Sequence, residues 1–384
     1  MTSRRVAGVK PFQVMEILAR AQRMEREGKR VIHFEIGEPD FVTPQRIRES
    51  AVQAINRGFT HYTESAGLLK LREALASHLE FTGRRFDSNS EIIVTGGVSQ
   101  ALFFALASLL DPGDEVIMTD PHYPCYPNFV CFLDAKPVYT SLTDDFKLDM
   151  EDLKEKISSR TKAILVNTPS NPTGMFLELK ELRELAEIAE DSNSYVLSDE
   201  IYSGLVYDGR HRSPSILETG YDKVVMLDGF SKLYSMTGWR VGYVVCEPEL
   251  AAEVLKLQQN FYISPSSFVQ HAAVTALECR DEVRAMLDEF ARRREYIVGR
   301  LQEMEGFKVK EPNAAYYIFP DVKAISEDST KLSSYLLKEA RVAVTPGIAF
   351  GRRGEGHLRF SYATSIENIK EGMNRIEKAL KKFS

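Results

Sequence analysis

Cysteine is scarce: four residues among 384, at positions 125, 131, 246 and 279, with no Cys-x-x-Cys pair. That spacing excludes a disulfide scaffold and the common zinc and redox motifs, and it suits thiols kept reduced. Long apolar runs are missing as well. The longest mostly apolar stretch, Ala101 to Leu110, is about half of what a membrane-spanning helix requires. The first ten residues, MTSRRVAGVK, are basic, but they lead into Pro11-Phe12 and an amphipathic helix rather than the apolar core and cleavage site of a signal peptide. The expectation is therefore a soluble, cytoplasmic protein without a membrane partner. Basic residues are not in excess either. Lys plus Arg is 49 against 55 for Asp plus Glu, a net charge of −6, opposite to the basic footprint of nucleic-acid binding. Flexible Gly/Ser linkers and internal repeats are absent. What remains, 43% apolar and 27% charged residues, is ordinary globular composition, long enough for roughly two to three compact units.

Periodicity assigns the elements. Ile17 to Glu27 has helical spacing and Gly28 stands where a helix stops. Val31 to Ile36 reads as a strand ending in the turn Gly37-Glu-Pro-Asp-Phe41. Short β-branched runs then alternate with helical patterns: 91–95, 115–118, 162–167, 195–199, 224–228 and 241–245, with helices such as 100–110 and 180–190 between them. Such alternation predicts an α/β unit, a mainly parallel sheet covered on both faces, with ligands beyond the carboxyl ends of the strands. Beyond residue 245 the pattern becomes helical over 249–259 and 269–300. Extended segments follow at 307–310, 315–319 and 358–361, and a charged helix at 366–382. This predicts a second, smaller α+β unit. The expected division is residues 1–40 as N-terminal arm and part of the small domain, 41–280 as the large domain, and 281–384 as the rest of the small domain.

Four stretches placed just after strands carry chemistry. Val94-Thr-Gly-Gly-Val-Ser-Gln100 joins a strand to a helix, where close backbone approach and free N–H groups make an anion site, although a tight turn alone also calls for glycine. Asn167-Thr-Pro-Ser-Asn-Pro-Thr-Gly174 is a rigid turn that either aims Asn171 or is an ordinary Asn-Pro turn. Ser198-Asp-Glu-Ile-Tyr202 puts a carboxylate at a strand end, suited to keeping a ring nitrogen protonated or to capping a helix. Gly229-Phe-Ser-Lys-Leu-Tyr-Ser-Met-Thr-Gly-Trp-Arg-Val-Gly242 holds one lysine, Lys232, with Arg240 eight positions on. A desolvated lysine near positive charge loses proton affinity and attacks carbonyl carbon. No metal-ligand spacing is present, so no metal is expected.

Taken together these motifs resemble one family across essentially the whole chain, the class I/II pyridoxal-phosphate aminotransferases of fold type I, in their aspartate-aminotransferase-like branch. The ordered matches are Gly37-Glu-Pro-Asp-Phe41, Tyr62-Thr63, Gly96-Gly97-Val98-Ser99, Pro121-His-Tyr-Pro124, Asn171-Pro-Thr-Gly174, Asp199-Glu-Ile-Tyr202, Ser231-Lys232 with Gly238-Trp-Arg240, and Leu358-Arg-Phe-Ser361. The resemblance implies a three-layer αβα large domain with a smaller α+β domain, and pyridoxal 5'-phosphate as cofactor.

It also implies roles. Lys232 would form the internal aldimine, and Asp199 would pair with the pyridinium nitrogen. Tyr202 and Asn171 would hydrogen-bond the phenolic oxygen, and Tyr123 would stack on the ring, where many relatives have Trp. Gly97, Val98, Ser99, Ser231 and Arg240 would hold the phosphate. Arg359 and Gly37, with Asn171, would bind the substrate's α-carboxylate. Tyr62 would reach the phosphate of a neighbouring subunit, implying a homodimer with shared sites.

The implied reaction moves an amino group from an L-amino acid to a 2-oxo acid in ping-pong order, with Lys232 carrying the proton. Where some relatives have Ser-x-Thr and a lysine for a distal carboxylate, this chain has Pro11-Phe-Gln13 and Val98-Ser99. The donor is therefore left open among aspartate, alanine, aromatic and branched amino acids, with Phe12, Tyr316 and Tyr317 as candidate apolar lining. His33 and His122 read as structural. Two alternatives stand beside the transaminase: a β-lyase on the same fold, and a non-enzymatic regulator. About three dozen residues before Gly37 are too few for the DNA-binding domain such a regulator carries.

Overall fold

Parallel strands need a crossover of a dozen or more residues between them, and the alternating β-branched and helical stretches of this chain supply it. The computed structural model describes residues 3–383. In chain order the strands are β1 Ile32–His33, β2 Ile92–Thr95, β3 Glu115–Asp120, β4 Lys136–Ser141, β5 Thr161–Asn167, β6 Tyr195–Asp199, β7 Val224–Gly229, β8 Gly242–Cys246, β9 Tyr317–Ile318, β10 Val342–Ala343, β11 Thr345–Pro346 and β12 Leu358–Ser361.

Seven of them form one sheet in the order β2-β8-β7-β6-β5-β3-β4. All neighbours are parallel except β8, which is antiparallel to both β2 and β7. The reason is local. Residues 230–241 between β7 and β8 contain only one short 3-10 turn, Thr237–Trp239, too little for a crossover helix, so the chain doubles back.

Successive strand residues face opposite sides, and here both sides are apolar. Val94, Ile164, Val166, Val196, Met226 and Val245 pack under helices including Leu69–His78, Leu179–Asp191 and Ser267–Ala276. Ile93, Val116, Leu165, Leu197, Val225 and Val244 pack under Val98–Leu109 and Pro248–Phe261. The expected three-layer αβα arrangement is what the chain adopts. A separate core joins Ile32 and Phe34 to Phe290, Tyr317, Phe360 and the C-terminal helix Ile366–Leu380.

Several expectations change in detail. Lys136–Ser141 is a strand that periodicity missed; it pairs along its whole length with β3 at the sheet edge. The extended stretch 307–310 makes only a single bridge, Lys308 to Asp321. The helical stretch 269–300 is two helices, Ser267–Ala276 and Arg280–Glu303. The strand expected at 31–36 shortens to β1 and pairs with β10 rather than the main sheet.

β1 ends on His33, whose Nδ1 lies 2.7 Å from the buried Glu35 and whose Nε2 lies 3.1 Å from Glu25. The hydrogen bond to Glu35, and then the charges of both carboxylates, outweigh burial and raise the imidazole from 6.5 to about 9. A folded-state value above the unfolded one stabilises fully below about pH 6.5, and that stabilisation is lost as pH rises through about 9. His33→Gln is expected to cost about 1–3 kcal/mol at pH 6 and much less at pH 10. Guanidinium unfolding midpoints of both proteins at the two pH values check this; a cost independent of pH would refute the ionic origin.

Candidate active site

Register brings the chemistry to one end of the sheet. Asn167 pairs with Asp199, Asp199 with Leu227, Gly229 with Gly242, and Thr95 with Gly242. The carboxyl ends of β2, β5, β6 and β7 are thus level. Because β8 runs the other way, its amino end lies there too, so the β7–β8 loop delivers both Lys232 and Arg240 to the same edge.

Lys232 is half-buried, and its Nζ donates to the carbonyl of Gly37 at 2.7 Å. Tyr316 donates to the same oxygen at 3.1 Å. Burial lowers the amine from 10.5 to about 8; the charges of Arg240 and Arg359 lower it further, against the opposing pull of Glu38 and Asp199. In the cofactor-free chain Lys232 is therefore expected to be acylated ahead of exposed lysines, with a half-maximal rate near pH 8. Peptide mass spectrometry after limited acetic anhydride treatment across pH 6–11 reads this. A midpoint near the ordinary lysine value, about 10.4, would overturn it.

Asp199 is buried at the end of β6. It accepts from the Tyr126 hydroxyl at 2.7 Å and from the Ile201 N–H at 3.3 Å. Burial raises its carboxyl to about 6 against those bonds and the charge of Lys232. A buried acid without a bonded cation has room for a protonated ring nitrogen. Tyr202, three residues on, shares a 2.8 Å hydroxyl contact with Tyr317. Its ring centroid is 6.0 Å from Lys232 Nζ.

Asn171 is fixed at both its backbone and its side chain. Its N–H donates to Asn167 Oδ1 at 2.7 Å, and its own Oδ1 accepts from Arg359 Nη1 at 2.9 Å. Arg359 on β12 is 2% exposed, with Nη2 bonded to Thr345 Oγ1 and the Glu35 carbonyl and with Nε lacking a partner among the described residues. Its guanidinium lies 4.7 Å from the Tyr317 ring and 4.9 Å from that of Phe350. Burial works against its charge, so a carboxylate guest would be strongly welcomed.

Two of the phosphate candidates, Gly97 and Arg240, meet. The helix Val98–Leu109 begins after Gly97 with no side-chain cap, unlike Ile366–Leu380, where Ser365 caps; its first N–H groups stay free. Gly97 has φ +97°, and a Cβ there would fall 2.6 Å from Arg240 Nη2, so only glycine admits the guanidinium. Arg240 bonds only the carbonyls of Thr237 and Gly96, and among the described residues no carboxylate pairs with it. Ser231 is buried beside Lys232 and Ser99 is exposed. An unpaired guanidinium beside an uncapped helix start, a low-affinity amine and a buried acid are the donor set that a phosphate-bearing aromatic aldehyde requires. The residues fit pyridoxal 5'-phosphate.

Tyr123 follows β3 and is packed edge-on by Phe12 at 5.9 Å and by Tyr126 at 5.3 Å. Tyr62 is not gathered with the others; it is 82% exposed. Tyr316 and Tyr317 are buried in the second core, edge-on to Tyr202, with their hydroxyls turned to the Gly37 carbonyl and to Tyr202, while Phe12 packs against Tyr123. His122 bonds the Thr119 carbonyl, and burial lowers it to about 4.

Residue patterning missed Tyr126, Asn167 and Thr345. Asn167 had one usable signal, its place as last residue of a strand. Its Nδ2 donates to the Asp199 carbonyl at 2.8 Å while its Oδ1 holds Asn171. Tyr126 and Thr345 carried none.

The family model described as Aminotransferase class I and II matches residues 29–376. The chain is 46% identical to the (5-formylfuran-3-yl)methyl phosphate transaminase of Methanocaldococcus jannaschii over 100% of both chains. It is 42% identical to the aspartate aminotransferase of Pyrococcus horikoshii, covering 98% of this chain and 96% of the relative. A solved Methanococcus jannaschii structure, reported to resemble kynurenine aminotransferases in its active site, superposes with a TM-score of 0.91 at 45% identity, covering 99% of this chain and 100% of that one.

Proposed function

The chain belongs to the class I and II aminotransferases, a pyridoxal-phosphate-dependent family, and from that premise we propose how its own residues divide the work. The protein is an aminotransferase. Bound pyridoxal 5'-phosphate supplies an aldehyde that takes up the amino group and a cationic ring that stabilises negative charge at the donor's α-carbon.

Around that group, Lys232 is both the covalent anchor and the proton carrier. Its Nζ, whose proton affinity burial reduces in the cofactor-free chain, would hold the cofactor's aldehyde carbon and, when free, would take the α-proton of the donor. Asp199 keeps the ring nitrogen protonated, and Tyr202 with Asn171 holds the phenolic oxygen. Gly97, Val98, Ser99, Ser231 and Arg240 hold the phosphate. Arg359 grips the α-carboxylate with Asn171 and the Gly37 backbone beside it, so that one Cα–H bond is presented to Lys232. Donor and acceptor would use the same arginine in turn, which is compatible with ping-pong order.

The observation that carries this reading is the level end of β6 and β7, where a buried acid and a low-affinity amine lie with two arginine charges. The β-lyase alternative finds no support among relatives that are transaminases and aminotransferases.

The donor side chain meets the apolar corner of Phe12 and Tyr123. The arginine charges felt at Lys232, Arg240 and Arg359, are assigned to the phosphate and the α-carboxylate. This favours alanine, branched or aromatic donors over aspartate. A homodimer is supported by the exposure of Val42 at 72%, Tyr62 at 82% and Phe261 at 74%, with Tyr62 reaching a partner's phosphate. The cysteine usage supports a cytoplasmic location.

The test is a panel of amino donors against 2-oxoglutarate, pyruvate, oxaloacetate and (5-formylfuran-3-yl)methyl phosphate. Stoichiometric oxo acid with loss of the aldehyde absorbance is expected, fastest with apolar or aromatic donors. Sustained release of pyruvate and ammonia would reverse the assignment, and a leading rate with aspartate would refute the apolar corner.

A further inference from the structure

We propose that Tyr126 is a positioning residue for the cofactor, its hydroxyl holding the Asp199 carboxylate and its ring holding Tyr123. The inference rests on the roles given above to Asp199 and Tyr123. Both contacts come from one side chain. The hydroxyl donates to Asp199 Oδ2 at 2.7 Å, and the ring meets that of Tyr123 edge-on at 5.3 Å and 71°. The edge of the bound ring and its face would thus be set by the same residue, which opens the helix Tyr126–Phe132 directly after β3.

The energetics require the partnership. Tyr126 is 2% exposed and packs among Leu102, Val130, Leu165 and Leu197, where an unpaired hydroxyl is costly. Phenylalanine would pack there equally well if the site needed only bulk. Among the described residues Asp199 has no other side-chain donor, only the Ile201 N–H at 3.3 Å. A hydroxyl bonded to a carboxylate favours its ionised form, opposing the burial that pushes Asp199 up. The titratable groups facing this carboxyl are Tyr123 and Tyr126 after β3, Asp228 on β7, and Lys232 from the loop beyond.

Two measurements on the cofactor-free chain test it. First, the chain and its Tyr126→Phe variant are titrated with pyridoxal phosphate and with the analogue whose ring nitrogen is replaced by C–H. Losing one charge-assisted hydrogen bond should weaken pyridoxal phosphate about tenfold and the analogue by less than about twofold. Equal losses mean a packing role only and overturn the proposal.

Second, the carboxyl ¹³C signal of Asp199 is followed against pH. Tyr126→Phe should raise its midpoint by about one unit. Placing 3-fluorotyrosine at 126, a stronger donor of nearly the same shape, should lower it. If neither variant moves the midpoint, the tyrosine does not act through Asp199. Should Tyr126→Phe fail to fold, the fluorotyrosine protein carries the test alone.

Asp199→Ala keeps the two readings apart. If it leaves the ratio of the two affinities unchanged, the role of Asp199 itself is wrong. If it collapses that ratio while Tyr126→Phe does not, only the tyrosine is.

Discussion

Lys232→Ala is expected to lower turnover by at least about four orders of magnitude, because one substitution removes both the covalent anchor and the proton carrier, and general acid–base catalysis alone is worth about 10²–10⁴-fold. The protonated-imine absorbance should vanish with it. Cofactor binding should survive in weakened form, since Asp199, Arg240 and the uncapped start of the helix Val98–Leu109 remain. Folding should be little affected, because Lys232 Nζ makes a single hydrogen bond, to Gly37. Single-turnover absorbance with a saturating donor, alongside equilibrium dialysis of the cofactor, separates these effects. Retained absorbance or retained turnover would refute the role given to this residue, whereas loss of all cofactor affinity would show that the phosphate site does not stand on its own.

Arg359→Leu is expected to reduce kcat/KM for amino acids between about thirtyfold and several thousandfold, the range set by truncating a buried, hydrogen-bonded charge that meets an opposite charge. Arg359→Lys should recover little of it. Lysine keeps the charge but loses the planar fork, which here is held by Asn171 Oδ1 at 2.9 Å and Thr345 Oγ1 at 3.3 Å. The diagnostic comparison uses a primary amine with the same side chain and no carboxylate. Its rate should change little in either variant, so the preference for the amino acid collapses. If both substrates slow equally while the cofactor remains bound, Arg359 supports the fold rather than the carboxylate.

The two expectations differ in how well the sequence foretold them. Lys232 was legible because small residues surround it after a buried strand; local composition already demanded an unusual amine. Arg359 was legible only through family resemblance, since nothing in Leu358-Arg-Phe-Ser361 distinguishes it from any strand arginine. Its environment is assembled from Asn171, 188 positions away, and from Glu35, 324 positions away. Tyr126 lies three residues after Tyr123 and still gave no signal, because its partner Asp199 is 73 positions on.

The same division holds for the fold. The strands β2, β5, β6, β7 and β8 and the helices on their faces follow from β-branched runs and helical periodicity, which act within a dozen residues. β4 escaped because Lys136 and Pro137 open it and leave only Val138-Tyr139-Thr140 as a β-prone run, and pairing with β3 supplies what propensity does not. The antiparallel turn of β8 follows from a loop too short for a crossover, and only that reversal sets Arg240 against Gly97.

Local sequence alone determined the order of the elements, the glycine and proline turns, and the candidacy of Lys232, Asp199 and Arg240, because each depends on near neighbours. Tertiary structure alone decided which of them meet, how far burial shifts Lys232 and Asp199 toward each other, and which bystanders hold them. Distance through space and loss of water are properties of the packed chain, and no stretch of sequence contains them.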